Sequence, residues 1–170
     1  MGKGWIFAVG LATVTIFLVT SAVLLAQPRP MTEDVYTPIA KGYDLLAQGK
    51  YEAAQDQFEK ALKKDRYNSF ALNNLAALYE KQGKMKEAMA FLNDAIKYAG
   101  DYQQKVTQTC FVEGLCTAAR PVKETGPTST ILPIVRENIK RLREKAAKMP
   151  EKPVPAEIKP MAPPPPAPKE

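Results

Sequence analysis

The chain has 170 residues, with 24 lysines and arginines against 18 aspartates and glutamates, a formal net charge of +6, and no histidine. Without histidine the commonest general base and metal ligand are missing, so no catalytic residue, no metal site and no cofactor is expected. The positive surplus sits late in the chain, 12 basic against 7 acidic residues over 103–170 but 10 against 9 over 35–102, and interleaved glutamates dilute it, so nucleic acid is not an expected partner.

Residues 1–30 open with Lys3 and then 22 uncharged positions from Trp5 to Ala26. As a helix that run spans about 33 Å, close to the roughly 30 Å of hydrocarbon in a bilayer. It is expected to be a single N-terminal transmembrane anchor, with Trp5 at one interface, Gln27 and Arg29 at the other, and Pro28 and Pro30 stopping the helix. The competing reading is a cleaved secretory signal with small residues at Ala22 and Ala26, which yields a secreted soluble protein.

From residue 35 the chain repeats itself at an offset of 34. Gln48 aligns with Gln82, Gly49 with Gly83, Lys50 with Lys84, Ala54 with Ala88, Ala61 with Ala95 and Lys63 with Lys97. Large residues match large ones and small match small: Phe58 meets Leu92, Leu62 meets Ile96, Gly42 meets Ala76. The units run 35–68 and 69–102. Within each, apolar residues recur at threes and fours on both sides of a glycine, which predicts two helices joined at Gly49 and at Gly83. Gly42 or Ala76 facing Ala54 or Ala88 lets the paired axes approach closely.

This period and this small–large pattern resemble the tetratricopeptide repeat, whose unit is a helix–turn–helix. The residues that carry the resemblance are Gly42, Leu45, Gly49, Tyr51, Ala54, Phe58 and Ala61, then Leu75, Ala76, Tyr79, Gly83, Ala88, Leu92 and Ala95. Departures stand at Pro38, Lys41 and Leu72, and at Arg66 and Gly100 where proline usually closes the unit, so the first helix is expected to begin late. The resemblance implies an all-α fold and a protein-binding role. It places a partner groove on the first helix of each unit: Tyr36, Ile39, Tyr43, Leu46, Phe70, Asn73, Asn74, Ala77 and Lys81. The alternative for Tyr36, Tyr43 and Phe70 is that a later segment of this chain packs on them as core. The family's two-carboxylate clamp for chaperone C-termini is not expected, because Ile39, Tyr43, Gln104 and Gln108 stand at its other positions and only Asn74 matches.

Residues 103–130 form a connecting segment after the repeats, with a short helix expected over Tyr102–Val112. Cys110 and Cys116 are the only cysteines, and five residues with Gly114 among them permit a local disulfide, which would put the domain in an oxidising compartment. Two buried free thiols are the alternative, and a thiol-redox role a more remote one, since the two-residue spacing of redox motifs is lacking. Residues 131–148 read as a basic amphipathic helix capping the stack, with Thr130 as N-cap and Asn138 in its inward stripe. Residues 149–170 hold nine prolines after Met149 and are expected to form a disordered or polyproline tail.

The expected function is that of a membrane-anchored protein–protein interaction module: a scaffold, assembly factor or accessory subunit of a bacterial envelope complex. Its anchor would cross the inner membrane once and its repeats would lie in the periplasm. The partner would be a protein or peptide, such as a subunit of a membrane complex. No enzymatic role is expected.

Overall fold

A computed structural model describes residues 29, 31–114 and 116–148. The segment Trp5–Ala26 and the proline-rich residues 149–170 lie outside them. Among the described residues no helix is long and apolar enough to cross a membrane.

Four helices form two antiparallel pairs: α1 (Glu33–Ala47) with α2 (Tyr51–Lys64), and α3 (Ser69–Lys81) with α4 (Met85–Tyr98). The two turns are superimposable in their chemistry. Gly49 and Gly83 take φ of +75° and +74°, a left-handed conformation that glycine adopts without a side-chain penalty. The amides of Lys50 and Lys84 then reach back to the carbonyls of Leu45 and Tyr79, each at 2.9 Å, closing both helices in the same way. The 34-residue offset is therefore a repeat of backbone conformation as well as of side-chain size.

α1 begins at Glu33 and carries Pro38 within it, so the first helix does not begin late. Thr32 and Asp34 hydrogen-bond at 2.6 Å in its first turn. α3 lies at the centre of the stack, with every residue from Ser69 to Leu78 buried, and Glu80 as well. Asn68 caps it, its side-chain oxygen accepting from the amides of Phe70 and Ala71. Ser69 donates to the carbonyl of Ala95, fixing the start of α3 on the end of α4.

After a short 3-10 turn, Ala99–Asp101, the fold leaves the helical expectation. Residues 102–112 do not form a helix: Gln104–Phe111 is a strand, β1, antiparallel to β2 (Thr117–Thr125), with Thr109 opposite Ala119 and Phe111 opposite Thr117. The physical reason is visible in burial. Gln104, Val106, Cys110 and Val112 are turned inward while Lys105, Thr107, Thr109 and Phe111 are exposed, a period of two that no helix provides, interrupted at exposed Gln108 beside a register irregularity. The described fold is thus mostly helical with one β-hairpin.

The final helix, α5 (Ile131–Lys148), buries Ile131, Val135, Asn138, Ile139 and Leu142 and packs on α4. Ser129, not Thr130, caps it by accepting from the amide of Leu132. Thr130 instead bridges a kink in β1, donating to the carbonyl of Gln104 and accepting from the amide of Val106.

A Cβ on Gly42 would stand 2.6 and 2.8 Å from two ring carbons of Phe58, which is fully buried. Gly42→Ala should lower the unfolding free energy by about 1–3 kcal/mol through overpacking. Gly100→Ala, where nothing lies within 4 Å, should stay within about 0.5 kcal/mol of the parent. Paired denaturant titrations of the two variants check both numbers.

Candidate functional site

The concave face of the repeats is built from α1 and α3, and the structure brings its expected residues together. Ile39, Tyr43, Leu46, Phe70, Asn73, Asn74 and Ala77 all face it, and each is at most 4% exposed. They do not line an open groove. The β-hairpin stands on edge inside it, with β2 against the floor.

Three side-chain amides hold that edge. Asn74 donates to the carbonyl of Ala119 at 2.9 Å and accepts from the amide of the same residue at 2.8 Å. Asn73 donates to the carbonyl of Thr117 at 2.9 Å. From α5, Asn138 donates to that same carbonyl, accepts from the Thr117 amide at 2.8 Å, and donates to the side-chain oxygen of Asn73. An asparagine side chain offers one acceptor and one paired donor, the complement of one residue's free main-chain edge. Two successive outward-facing residues of β2 are therefore satisfied as a neighbouring strand would satisfy them.

The walls grip the hairpin through its side chains. On α1, Asp44 accepts two hydrogen bonds from the guanidinium of Arg120 at 3.0 and 3.3 Å, and Glu33 pairs with Lys123. Lys123 also lies over the ring of Tyr36, 5.5 Å from its centroid, so Tyr36 sits on the rim. Lys81, the remaining expected groove residue, pairs with Glu113 at the hairpin tip at 2.6 Å and lies 4.2 Å over the ring of Tyr51. Together Lys81 and Tyr51 border an open cleft of about 620 Å³ between the two repeat turns, lined also by Gly49, Glu52, Leu78 and Gln82.

Sequence reasoning missed Glu80. Its side chain is fully buried at the end of α3, where one oxygen accepts from Lys145 of α5 at 2.9 Å and the other from the amide of Cys116 at 2.7 Å. Glu80 thus joins the last turn of α3 to both the hairpin turn and the final helix. A Cβ on Gly114 would stand 2.8 Å from the same carboxylate, which is why the turn passes it with a glycine.

The expected disulfide is not formed: Cys110 and Cys116 are both free. The register sets Cys110 opposite Ala118, two residues past Cys116. Burial pushes both thiols up, with the Glu80 carboxylate adding to the effect at Cys116 and a hydrogen bond to Tyr43 opposing it at Cys110. A redox cysteine needs the opposite shift. Among the described residues no cluster could hold a metal ion.

A family model described as tetratricopeptide repeat matches residues 45–108, which supports a tetratricopeptide repeat protein. No curated protein and no solved structure matches the chain. Tetratricopeptide repeats generally mediate protein–protein interaction and are typically non-catalytic.

Asn74→Ala should cost about 2–4 kcal/mol, because it strands the buried N–H and C=O of Ala119 together; faster amide exchange throughout β2 would accompany the loss, and unchanged exchange would contradict it. The raised thiols should alkylate slowly in the native protein near about pH 8 and faster as pH rises. Unfolding without reductant should expose two reactive thiols by intact mass, and a protein two hydrogens lighter would instead reveal the disulfide.

Proposed function

We propose that this chain is a membrane-tethered protein-interaction module, serving as a scaffold, assembly factor or accessory subunit of a bacterial envelope complex. The observation that carries the reading is Asn74 holding both main-chain groups of Ala119. The concave face is chemically a receptor for extended backbone, and here the chain's own β2 occupies it. A partner then meets the surface the hairpin leaves open, the cleft between the repeat turns where Tyr51 offers an aromatic wall and Lys81 a cation. That combination suits a protein segment with an apolar side chain beside a carboxylate.

The tether rests on the uncharged run Trp5–Ala26, long enough to cross a bilayer once. Holding the domain at a membrane confines it with membrane-bound partners and raises their effective concentration, so a cleft of modest affinity suffices. The repeats are assigned to the periplasmic side of the inner membrane. With both thiols free, that side draws no support from a disulfide and falls to direct test.

Protease added to spheroplasts should digest the repeat domain, and intact cells should protect it; protection in spheroplasts places the domain in the cytoplasm and ends the periplasmic assignment. For the cleft, the full chain and its Tyr51→Ala, Lys81→Ala double variant serve as baits on detergent-solubilised membranes. The parent should retain membrane proteins that the double variant loses. Identical captures mean that the cleft is not the contact.

A further inference from the structure

Arg29 stands three residues past Ala26, the last position of the uncharged run, and it is fixed at the C-terminal end of α4. Its amide donates to the carbonyl of Asp101 at 3.0 Å, its guanidinium lies 3.7 Å from the Asp101 carboxylate, and the same group sits 5.7 Å from the centroid of the Tyr98 ring. Three residues reach about 11 Å at full extension. The face around Tyr98 and Asp101 is therefore held no farther than that from the end of the run.

That face has the chemistry of a membrane–water interface. Tyr67, 39% exposed, stacks on Tyr98 with ring centroids 4.6 Å apart, and the Arg66 guanidinium lies over the Tyr67 ring. Tyrosine is favoured at headgroup depth because its ring is apolar and its hydroxyl polar. Arg66, Tyr67 and Tyr98 line one hollow with Lys97. The carboxylates around it already have partners: Asp65 accepts from the Tyr102 hydroxyl, Asp94 pairs with Lys97, and Asp101 with Arg29. The cations outnumber them. α5 starts at this end too, since Ser129 donates to the carbonyl of Ala99, and its Arg136 lies beside Ile96 of α4. Lys63 in the last turn of α2, Arg66 and Arg136 are all exposed and have no ion pair among the described residues.

We propose that this end of the domain, centred on Tyr67 and Tyr98, lies against the bilayer and that Lys63, Arg66 and Arg136 bind anionic lipid headgroups there. The inference rests on the membrane tether proposed above and is indifferent to which side of the membrane the repeats occupy. The tether supplies proximity, and the three unmatched cations supply the choice of headgroup. The length of α4 carries a consequence for the cleft. Its 14 residues span about 21 Å between Tyr98 and Met85, so the cleft beside Gly49 and Gln82, at the other end of the helix, stands off the bilayer and meets the extramembrane part of a partner.

Single-tryptophan variants of the full chain, with Trp5→Phe removing the native tryptophan, report depth in vesicles that carry a nitroxide on some of their headgroups. In vesicles containing phosphatidylglycerol the Tyr67→Trp variant should be quenched several-fold more strongly than the Lys86→Trp variant, whose reporter sits in the first turn of α4. Adding Lys63→Glu, Arg66→Glu and Arg136→Glu should remove most of that difference, as should vesicles of phosphatidylcholine alone. Equal quenching at the two positions overturns the proposal, and so does a difference that persists undiminished in phosphatidylcholine. Should Tyr67→Trp unfold, Lys97→Trp reports from the same end; should the charge reversal unfold, the lipid comparison decides without it. Carbonate extraction separates the two readings. Chain released from the vesicles has no tether, and the proposal falls with it, whereas chain retained without preferential quenching keeps the tether and loses the headgroup contact alone.

Discussion

Three buried side-chain amides at the floor of the concave face govern the architecture. Asn73, Asn74 and Asn138 are fully buried, and so is Ala119, whose main-chain groups Asn74 holds. A buried amide without partners is costly, and so is a buried peptide edge. Each removes the penalty of the other, so the repeats require the hairpin and the hairpin requires the repeats. The position of α5 is set in turn, because Asn138 must reach Thr117 while Ile131, Val135 and Leu142 cover the stack. Apolar packing supplies most of the attraction, and the amides decide where each piece sits.

Charge is arranged in two tiers around this centre. At the rim, Glu33 with Lys123, Asp44 with Arg120 and Lys81 with Glu113 each have at least one partner 48% or more exposed. They orient the hairpin and contribute little each. Glu80 belongs to the other tier. Its buried carboxylate is held by the Lys145 ammonium and the Cys116 amide, and without them a charge in that place would be strongly unfavourable. The result is a lock between α3, the hairpin turn and α5 that an apolar contact could not position as sharply.

The repeats were legible because their information is local and doubled. Gly49 and Gly83, and the small–large matches such as Gly42 with Ala76, encode the same turn and the same packing twice within 34 residues. The hairpin was hidden because its signals conflict. Gln103, Gln104 and Lys105 suit a helix, whereas Val106, Thr107 and Thr109 suit a strand, and what decides between them is the groove edge supplied by residues some 45 positions earlier. The repeat pattern puts the groove residues on one face, and the amides of Asn73 and Asn74 suit main chain, but sequence does not say whose main chain. Asn138 inside an apolar stripe was the available hint that a polar partner lay opposite. Glu80 gave no hint at all, since a glutamate near a helix end reads as solvent-facing until Lys145, 65 positions later, is brought beside it.

Most tandem-repeat proteins contact only adjacent units and can lose one unit at a time. The bonds from Asn74 to Ala119 and from Glu80 to Lys145 span 45 and 65 positions, so here the first-made helices and the last-made ones release one another together. The order of synthesis adds a second consequence. At about 5–20 residues per second, the ribosome delivers Ala119 several seconds after Asn74. For that interval the newborn domain is an open cradle, and any extended chain within reach competes for the place that β2 will take.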